Sequence, residues 1–434
     1  MTIRPNFPPG GLRLLGARVP ASLADGLAAG AADPSSGLVT MEIGIGPDGR
    51  IGRPSQGAPA IDLAGRIVLP GFVDSHVHLD KAYTVRRTGF PKGEGSALLE
   101  AVTLSMADIP NRTRDDLARR MERGVESAWR HGTVAMRTHL DTPDEPARSL
   151  SWQVFDELRA RWAGRVALQG VALMAIDRAD DAGFAERCRQ IAGLKGIVGV
   201  FIPPRAATPA RLDALFRHAA DAGLDVDFHV DETLDAAADG LEMIADSIAR
   251  TGFSGRVLAG HCCALASKSE ADLDRILGKV AAAGIHVAAL PHSNLSLQDR
   301  AAGRAPVRRG MTTVRQMLSH GIPVHFASDN VQDAFFPYGD FDMLEVLRSA
   351  VRTGHLDDVG AWIGGCSGSA SAATGLAAHG RIADRAAADL VLFDAQDWLD
   401  LLSLPHSDRI VIRAGAVLPG PASALRDLLS MEFA

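Results

Sequence analysis

The sequence predicts an α/β protein: a (β/α)8 barrel of the TIM type, joined to a smaller β-sandwich domain built from both chain ends. From Ile67 onward, short apolar runs alternate with helical stretches that end in glycine, which is typical of repeated βα units around a parallel sheet. Before that point, and again after Gly380, short strand-like segments are broken by Gly, Pro and Asp, which indicates all-β structure. The predicted domains are residues 1–66 and 376–434 for the β-sandwich and residues 67–375 for the barrel.

Eight candidate strands follow one another in the central part of the chain, as a closed barrel requires. Helical segments fit between most of them. Thr208 and Pro209 are typical of the N-cap and first residue of a helix, which Gly223 then ends. Thr113, with Asp116 three residues later, begins another helix. The predicted strands are Ile67–His76, Thr133–His139, Val166–Leu173, Ile197–Ile202, Asp225–His229, Val257–His261, His286–Leu290 and Val324–Asp329.

Composition narrows the class of function. With 434 residues, of which 47% are hydrophobic and 22% charged, the chain can form a large buried core. A net charge of -7 with scattered basic residues disfavours nucleic acid and acidic membranes and favours a small-molecule substrate. The four cysteines form no CxxC pair, and no long apolar run or N-terminal signal is visible, so we expect a cytoplasmic enzyme without a membrane partner. A homo-oligomer is plausible by base rates.

Polar side chains stand at the ends of several predicted strands. Because the carboxyl ends of barrel strands face the loops that form the active site, these side chains should converge. His76 and His78 are two residues apart, so in a strand both point to the same face and can chelate one cation. The strand ends concerned carry His76 and His78 (strand one), His139 (two), His229 (five), His261 (six) and Asp329 (eight).

Each of these residues has an alternative interpretation when taken alone. The two histidines of the first strand could be one barrel-lining and one exposed side chain. Asp329 could cap a turn, Glu232 could be a surface carboxylate, and His261 could be a core histidine with satisfied hydrogen bonds. His139 could form a pocket wall or orient a metal ligand. The joint occurrence at one end of a barrel favours a functional site.

The segment Leu69-Pro-Gly-Phe-Val-Asp-Ser-His-Val-His78 closely resembles the first-strand motif of the amidohydrolase superfamily. The resemblance continues, in the superfamily's order, over nearly the whole chain. Within the superfamily the cytosine deaminase group is the most similar. The segments that carry this are His78-Leu-Asp-Lys81, Arg137-Thr-His-Leu-Asp141, His229-Val-Asp-Glu232, Gly260-His261, Asn294–Arg300, Asp329–Gly339, Gly380–Asp384 and Ala388–Phe393.

The resemblance implies a set of metal ligands and catalytic groups. His76, His78, His229 and Asp329 would bind one divalent ion, zinc or ferrous iron, which lowers the pKa of bound water to about 7. The resemblance also implies that Glu232 passes a proton to a ring nitrogen and that His261 assists at the water, and Asp329 could accept the water proton. Some members hold two metals through a lysine at the end of strand four. Lys195 lies at the opposite end of that strand, so we expect a single metal.

Three departures make cytosine a poor substrate candidate. Where cytosine deaminases carry a glutamine, the chain has Leu173-Met-Ala-Ile176, and Asn330 and Phe335 replace an aspartate and a tryptophan. Polar substrate edges left unpaired in a buried site cost roughly 1–3 kcal/mol each. The predicted substrate-binding residues are Lys81, His139, Asn330 and Phe335.

The predicted reaction is therefore hydrolytic deamination of an amino-substituted nitrogen heterocycle. An alternative is removal of an N-alkylamine from a triazine-like ring, as in the isopropylammelide hydrolases that the first loop also resembles, or opening of a cyclic amide. A non-catalytic metal-binding barrel would lack the acid and base groups. Residues 84–111 could form a lid, or could simply pack, and Arg86 and Arg87 could meet an anionic group or form a solvated loop face.

Overall fold

The computed structural model describes residues 10–27, 30–143, 145–403 and 408–419. The outer parts of the two predicted sandwich segments, residues 1–9 and 420–434, lie outside these ranges. The strands, in chain order, are β1 (Leu12–Pro20), β2 (Ala24–Asp25), β3 (Leu38–Ile45), β4 (Ala60–Asp62), β5 (Val68–Pro70), β6 (Phe72–Val77), β7 (Thr133–Asp141), β8 (Ala167–Ala175), β9 (Ile197–Phe201), β10 (Val226–Val230), β11 (Val257–His261), β12 (His286–Ala289), β13 (Val324–Phe326), β14 (Ile382–Ala383), β15 (Leu390–Phe393), β16 (Arg409–Arg413) and β17 (Ala416–Val417).

The α-helices lie mainly between the barrel strands, and short 3-10 turns occur in several connections. They are α1 (Val85–Thr88), α2 (Ala97–Ala107), α3 (Arg114–Arg130), α4 (Leu150–Trp162), α5 (Phe184–Gly193), α6 (Pro209–Asp221), α7 (Gly240–Thr251), α8 (Glu270–Ala282), α9 (Pro291–Leu297), α10 (Val314–Ser319), α11 (Met343–Gly354), α12 (Val359–Trp362), α13 (Gly368–Thr374) and α14 (Trp398–Ser403). Two predicted helix starts are confirmed, because the side chains of Thr113 and Thr208 cap α3 and α6.

The barrel is an eight-stranded sheet in which β6 to β13 follow one another in chain order. All of its neighbouring strands are parallel. The sheet closes where Val77 pairs with Asp329 and the Asp329 backbone N–H donates to the His76 carbonyl, 2.9 Å away. The predicted (β/α)8 barrel is therefore confirmed, and its closure brings the ends of the first and last strands together.

Strand one differs from its prediction. The expected Ile67–His76 is divided at Gly71 into β5, which pairs with β15 of a smaller sheet, and β6, which belongs to the barrel. A Cβ on Gly71 would lie 2.1 Å from Cγ1 of Val134, so the chain can pass this close to β7 only with glycine. The apolar pattern alone does not show that one continuous run serves two sheets.

The smaller sheets draw strands from both chain ends. One has the order β3-β1-β4, another the order β17-β16-β15-β5, and β14 pairs with β2. They share an apolar core, separate from that of the barrel, to which Leu14, Ile43, Leu390 and Ile412 contribute. The predicted sandwich built from both ends agrees with this arrangement, and the exact domain boundaries stay a prediction. Within the described ranges, no helix combines the length and apolar character needed to cross a membrane.

Candidate active site

The end of the barrel that carries the strand carboxyl termini gathers the predicted metal ligands. The Nε2 atoms of His76 and His78 lie 3.0 and 3.1 Å from Nε2 of His229. Oδ1 of Asp329 lies 3.6 Å from Nε2 of His76 and 3.2 Å from Nε2 of His78. The four groups, which come from three different strand ends, thus point at one small volume.

The electrostatics of this cluster suit a cation. Burial lowers the pKa of His76 and His229 well below the ordinary value and that of His78 to about 4, so the imidazoles are neutral and keep a lone pair. Burial opposes ionisation of Asp329, yet the neighbouring His78 imidazole, 3.2 Å from Oδ1, holds its pKa at about 2. Oδ1 of Asp329 has no hydrogen-bond partner among the described residues. Three neutral imidazoles and one unpaired carboxylate oxygen are a donor set that fits a divalent ion such as zinc or ferrous iron.

The chain around the ligands is fixed by local hydrogen bonds. Ser293 Oγ donates to Oδ2 of Asp329, which turns the other oxygen toward the imidazoles. After His229, Asp231 adopts a left-handed φ of 52° and accepts the backbone N–H groups of Gly240 and Leu241 at 3.0 Å. This turn directs the following residue, Glu232, back toward the barrel.

The predicted acid and base lie beside the ligand cluster. Oε1 of Glu232 is 3.5 Å from Nδ1 of His261, which is also 3.0 Å from Oδ1 of Asn294. Both side chains are buried, and His261 Nε2 has no hydrogen-bond partner among the described residues. Burial raises the pKa of Glu232 to about 7, which suits a group that gains and loses a proton at neutral pH.

A cavity of about 260 Å³ opens onto this cluster. Predicted substrate-binding residues Lys81, Asn330 and Phe335 line it, together with Glu232 and His261. Most of the remaining wall is apolar and comes from α2, the end of β8 and Phe201. The geometry therefore places an acid and the predicted ligand cluster beside a largely apolar pocket.

The comparisons with known proteins agree with this geometry. A sequence profile described as "Amidohydrolase family" matches residues 60–158 and 87–419. The chain belongs to the amidohydrolase family. It is 40% identical over 404 residues to a pterin deaminase of Rhizobium rhizogenes, with 91% of each chain covered. It is 24% identical over 290 residues to an N-isopropylammelide isopropyl amidohydrolase of a Pseudomonas species, covering 66% of this chain and 68% of the relative. Its fold is similar to that of a 5-methylcytosine deaminase of Klebsiella pneumoniae bound to phosphonocytosine, with a TM-score of 0.78, 24% identity, and coverage of 95% and 98%.

The superfamily resemblance drawn from the motifs is thus confirmed, and the chain is a hydrolase of the amidohydrolase type. His139 lies with the predicted metal ligands, and together with His76, His78 and His229 it forms a group that could hold a metal ion. Its ring is fully buried 3.9 Å from the ring of His76, on the side where Nε2 faces Asp227 at 3.3 Å. It is not among the described residues that line the cavity. A substrate-binding role for His139 therefore stays a prediction, and these contacts also fit the alternative, a group that orients a ligand.

The structure shows where helix α2 and Arg87, both in the first loop of this amidohydrolase, lie relative to the cavity. Within residues 84–111, helix α2 covers the cavity with Leu98, Val102 and Met106. Arg87 is not among the described residues that line the cavity, and it forms paired hydrogen bonds with both Asp108 and Asp116, at 2.6 to 2.9 Å. Arg87 therefore anchors the loop and is not placed to contact a substrate.

Sequence reasoning missed several groups that support the site. Asn294 and Ser293, which contact His261 and Asp329, lie on the short helix α9. Asp141 contacts Lys81, with its Oδ1 2.6 Å from Lys81 Nζ. Asp141 and Asn294 stand inside segments that carried the resemblance, so that signal was available, whereas nothing in the sequence marks Ser293.

Proposed function

We propose that this chain is a mononuclear metal-dependent deaminase that releases ammonia from an amino-substituted, fused-ring nitrogen heterocycle of the pterin class. The observation that carries the proposal is the position of Glu232, whose buried carboxyl lines the cavity and lies 3.5 Å from His261. Its pKa of about 7 suits donation of a proton to a ring nitrogen and its recovery within one turnover.

In this proposal His76, His78, His229 and Asp329 hold a single zinc or ferrous ion. A bound divalent ion supplies a water of lowered pKa, so that hydroxide is available at neutral pH. Lys195 precedes β9 and is exposed, which supports one ion rather than a lysine-bridged pair. Asp329, assisted by His261, would accept the proton that the water loses and pass it to the departing amine, which leaves as ammonia, while Glu232 delivers a proton to the ring nitrogen and recovers it when the ring product forms.

The substrate class rests on the relative and on the cavity wall. The pterin deaminase shares 40% identity over 91% of both chains, and a fused ring presents more apolar surface than a pyrimidine. Leu98, Val102 and Phe335 line the pocket and can cover such a surface. Lys81 and Arg178 are cations in the pocket lining, and Lys81 can meet a ring carbonyl oxygen.

The test is ammonia release by the zinc- and iron-loaded enzyme from pterin, cytosine, melamine and N-alkylaminotriazines. We expect kcat/KM for pterin to exceed that for cytosine by about 100-fold or more, since each unpaired polar edge in the pocket costs roughly 1–3 kcal/mol. Activity should disappear on chelation and return with metal, with ion content measured in parallel. Absence of ammonia from every aminated ring would refute the proposal.

A second candidate is release of an alkylamine from a triazine-like ring by the same groups. It is favoured by the apolar wall next to the ligand cluster and by the similarity to the isopropylammelide enzyme. The products separate the two reactions, because only the second yields an alkylamine in place of ammonia.

A further inference from the structure

A line of charged groups leads from the substrate cavity to the helix that covers it. Lys81 Nζ is 2.6 Å from Oδ1 of Asp141, and the other carboxylate oxygen is 2.9 Å from Nη1 of Arg112. Nη2 of the same guanidinium donates to both the carbonyl oxygen and Oγ of Ser105, each at 2.9 Å. Ser105 belongs to α2, so one arginine connects the end of β7 to the covering helix.

Asp141 stands on a wall between two cavities. Lys81 and Asp141 line the substrate cavity, while Arg112 and Asp141 line a neighbouring cavity of about 720 Å³. The carboxylate therefore receives one cation from each side. Its backbone N–H also donates to Oδ2 of Asp80 at 2.8 Å, which fixes the direction in which the side chain leaves the strand.

The contacts that Asp141 makes with Lys81 and Arg112 are shielded from solvent. Lys81 and Arg112 are 5% and 8% exposed. Burial opposes the charge on Asp141, but Lys81 and Arg112 hold its pKa below the ordinary range. A lysine ammonium on a flexible stem has many rotamers, whereas a planar guanidinium presents its donors in a fixed fork. The guanidinium of Arg112 is thus the rigid partner of Asp141, whereas the ammonium of Lys81 is held by Asp141 and lies 3.2 Å from Nδ1 of His78.

We infer that Arg112 is a positioning residue, which fixes the ammonium of Lys81 toward the substrate through Asp141 and makes that position depend on the seating of α2 through Ser105. The inference rests on the proposed function in that Lys81 contacts the substrate. Arg112 itself does not line the substrate cavity but the neighbouring one, so its effect on the substrate is indirect. Binding of the heterocycle should therefore respond to a change outside the pocket.

The test compares Arg112→Met and Arg112→Lys with the wild-type holoenzyme. Removing the fork lets Lys81 and Asp141 take other rotamers, so we expect KM for the deaminated heterocycle to rise about tenfold while kcat stays within about threefold. Arg112→Lys keeps a cation for Asp141 but not the contacts to Ser105, so it should recover part of the loss in KM.

Arg409→Met is the matched control. Arg409 is also a mostly buried guanidinium, paired with Asp342 at 2.8 and 2.5 Å, and neither residue is among those that line the substrate cavity. This variant loses a comparable ion pair, so it reports the effect of general destabilisation. Its KM should equal that of the wild type.

A second readout does not depend on turnover. The sequence has only five lysines, so reductive methylation can be followed at each by mass spectrometry, with the exposed Lys92 and Lys195 as references. Lys81 should be labelled several-fold faster in Arg112→Met than in the wild type or Arg409→Met. Unchanged KM and labelling in Arg112→Met, or equal changes in Arg409→Met, would overturn the inference. A wild-type enzyme that deaminates no heterocycle would instead refute the proposed function, and the labelling comparison would still decide the role of Arg112.

Discussion

Replacing Arg137 by methionine should destabilise the barrel strongly, because its guanidinium is fully buried beneath the ligand cluster. Nη1 lies 3.0 Å from Oδ2 of Asp227, Nε 3.0 Å from Oε1 of Gln169, and Nη2 3.1 Å from the carbonyl oxygen of Thr374. Arg137 and Asp227 are 0% and 1% exposed. Removing one partner of such a pair leaves an uncompensated buried charge, which costs about 3–5 kcal/mol.

The pairwise part of this loss can be isolated by a double-mutant cycle. Asp227→Asn removes the charge that Arg137→Met would leave unpaired, so the double variant should be less destabilised than the sum of the two single variants, by about 1–3 kcal/mol. Free energies of unfolding are measured by urea titration followed by circular dichroism, after refolding has been shown to be reversible. Additivity within about 0.5 kcal/mol would refute the reasoning, as would a loss below about 1 kcal/mol for Arg137→Met.

The remaining predictions concern catalysis, pH and packing. Glu232→Gln should keep its metal, measured by elemental analysis, and lose about 10²- to 10⁴-fold in kcat because it cannot exchange a proton with the heterocycle; a full rate would reject the role. Burial opposes the charge on Asp116, but hydrogen bonds from Arg87 hold its pKa below the ordinary value. The folded state then binds fewer protons than the unfolded state, so Asp116→Asn should be less stable than the wild type at pH 7 and the difference should shrink as the pH falls below about 4, in urea titrations across pH. Gly71→Ala should lower stability by about 1–3 kcal/mol, measured the same way, because its Cβ would lie 2.1 Å from Val134 Cγ1.

The barrel and the ligand cluster were predictable because both follow from repetition. Each βα unit repeats the same apolar pattern, and a polar residue at a strand end must face the loops at the same end of the barrel as every other. His229 and Asp329 are 100 residues apart, yet their strand positions alone require them to meet. The pairing of Val77 with Asp329 joins the first and last strands of this repeated pattern and closes the sheet.

The features that could not be predicted depend on individual tertiary contacts, which leave no repeating pattern in the sequence. His139 occupies a strand end like the ligands, but its ring turns under His76 toward Asp227, and the direction of a side chain within the barrel is decided by its neighbours. The division of the first strand at Gly71 depends on the approach of Val134. Arg112 lies in a loop between α2 and α3, where no pattern links it to Asp141 on β7.

The site thus has two parts with different supports. The predicted ligands and Glu232 lie on strand ends and on the turns that follow them, which the closed sheet and the buried Arg137–Asp227 pair hold in place. The cavity wall opposite them comes from α2, and its apolar face can change without moving a ligand. Substitutions on α2, such as Val102→Ser, should therefore alter KM and the choice among ring systems more than kcat. Substitutions beneath the ligands should reduce stability and metal binding together, because the same contacts support both.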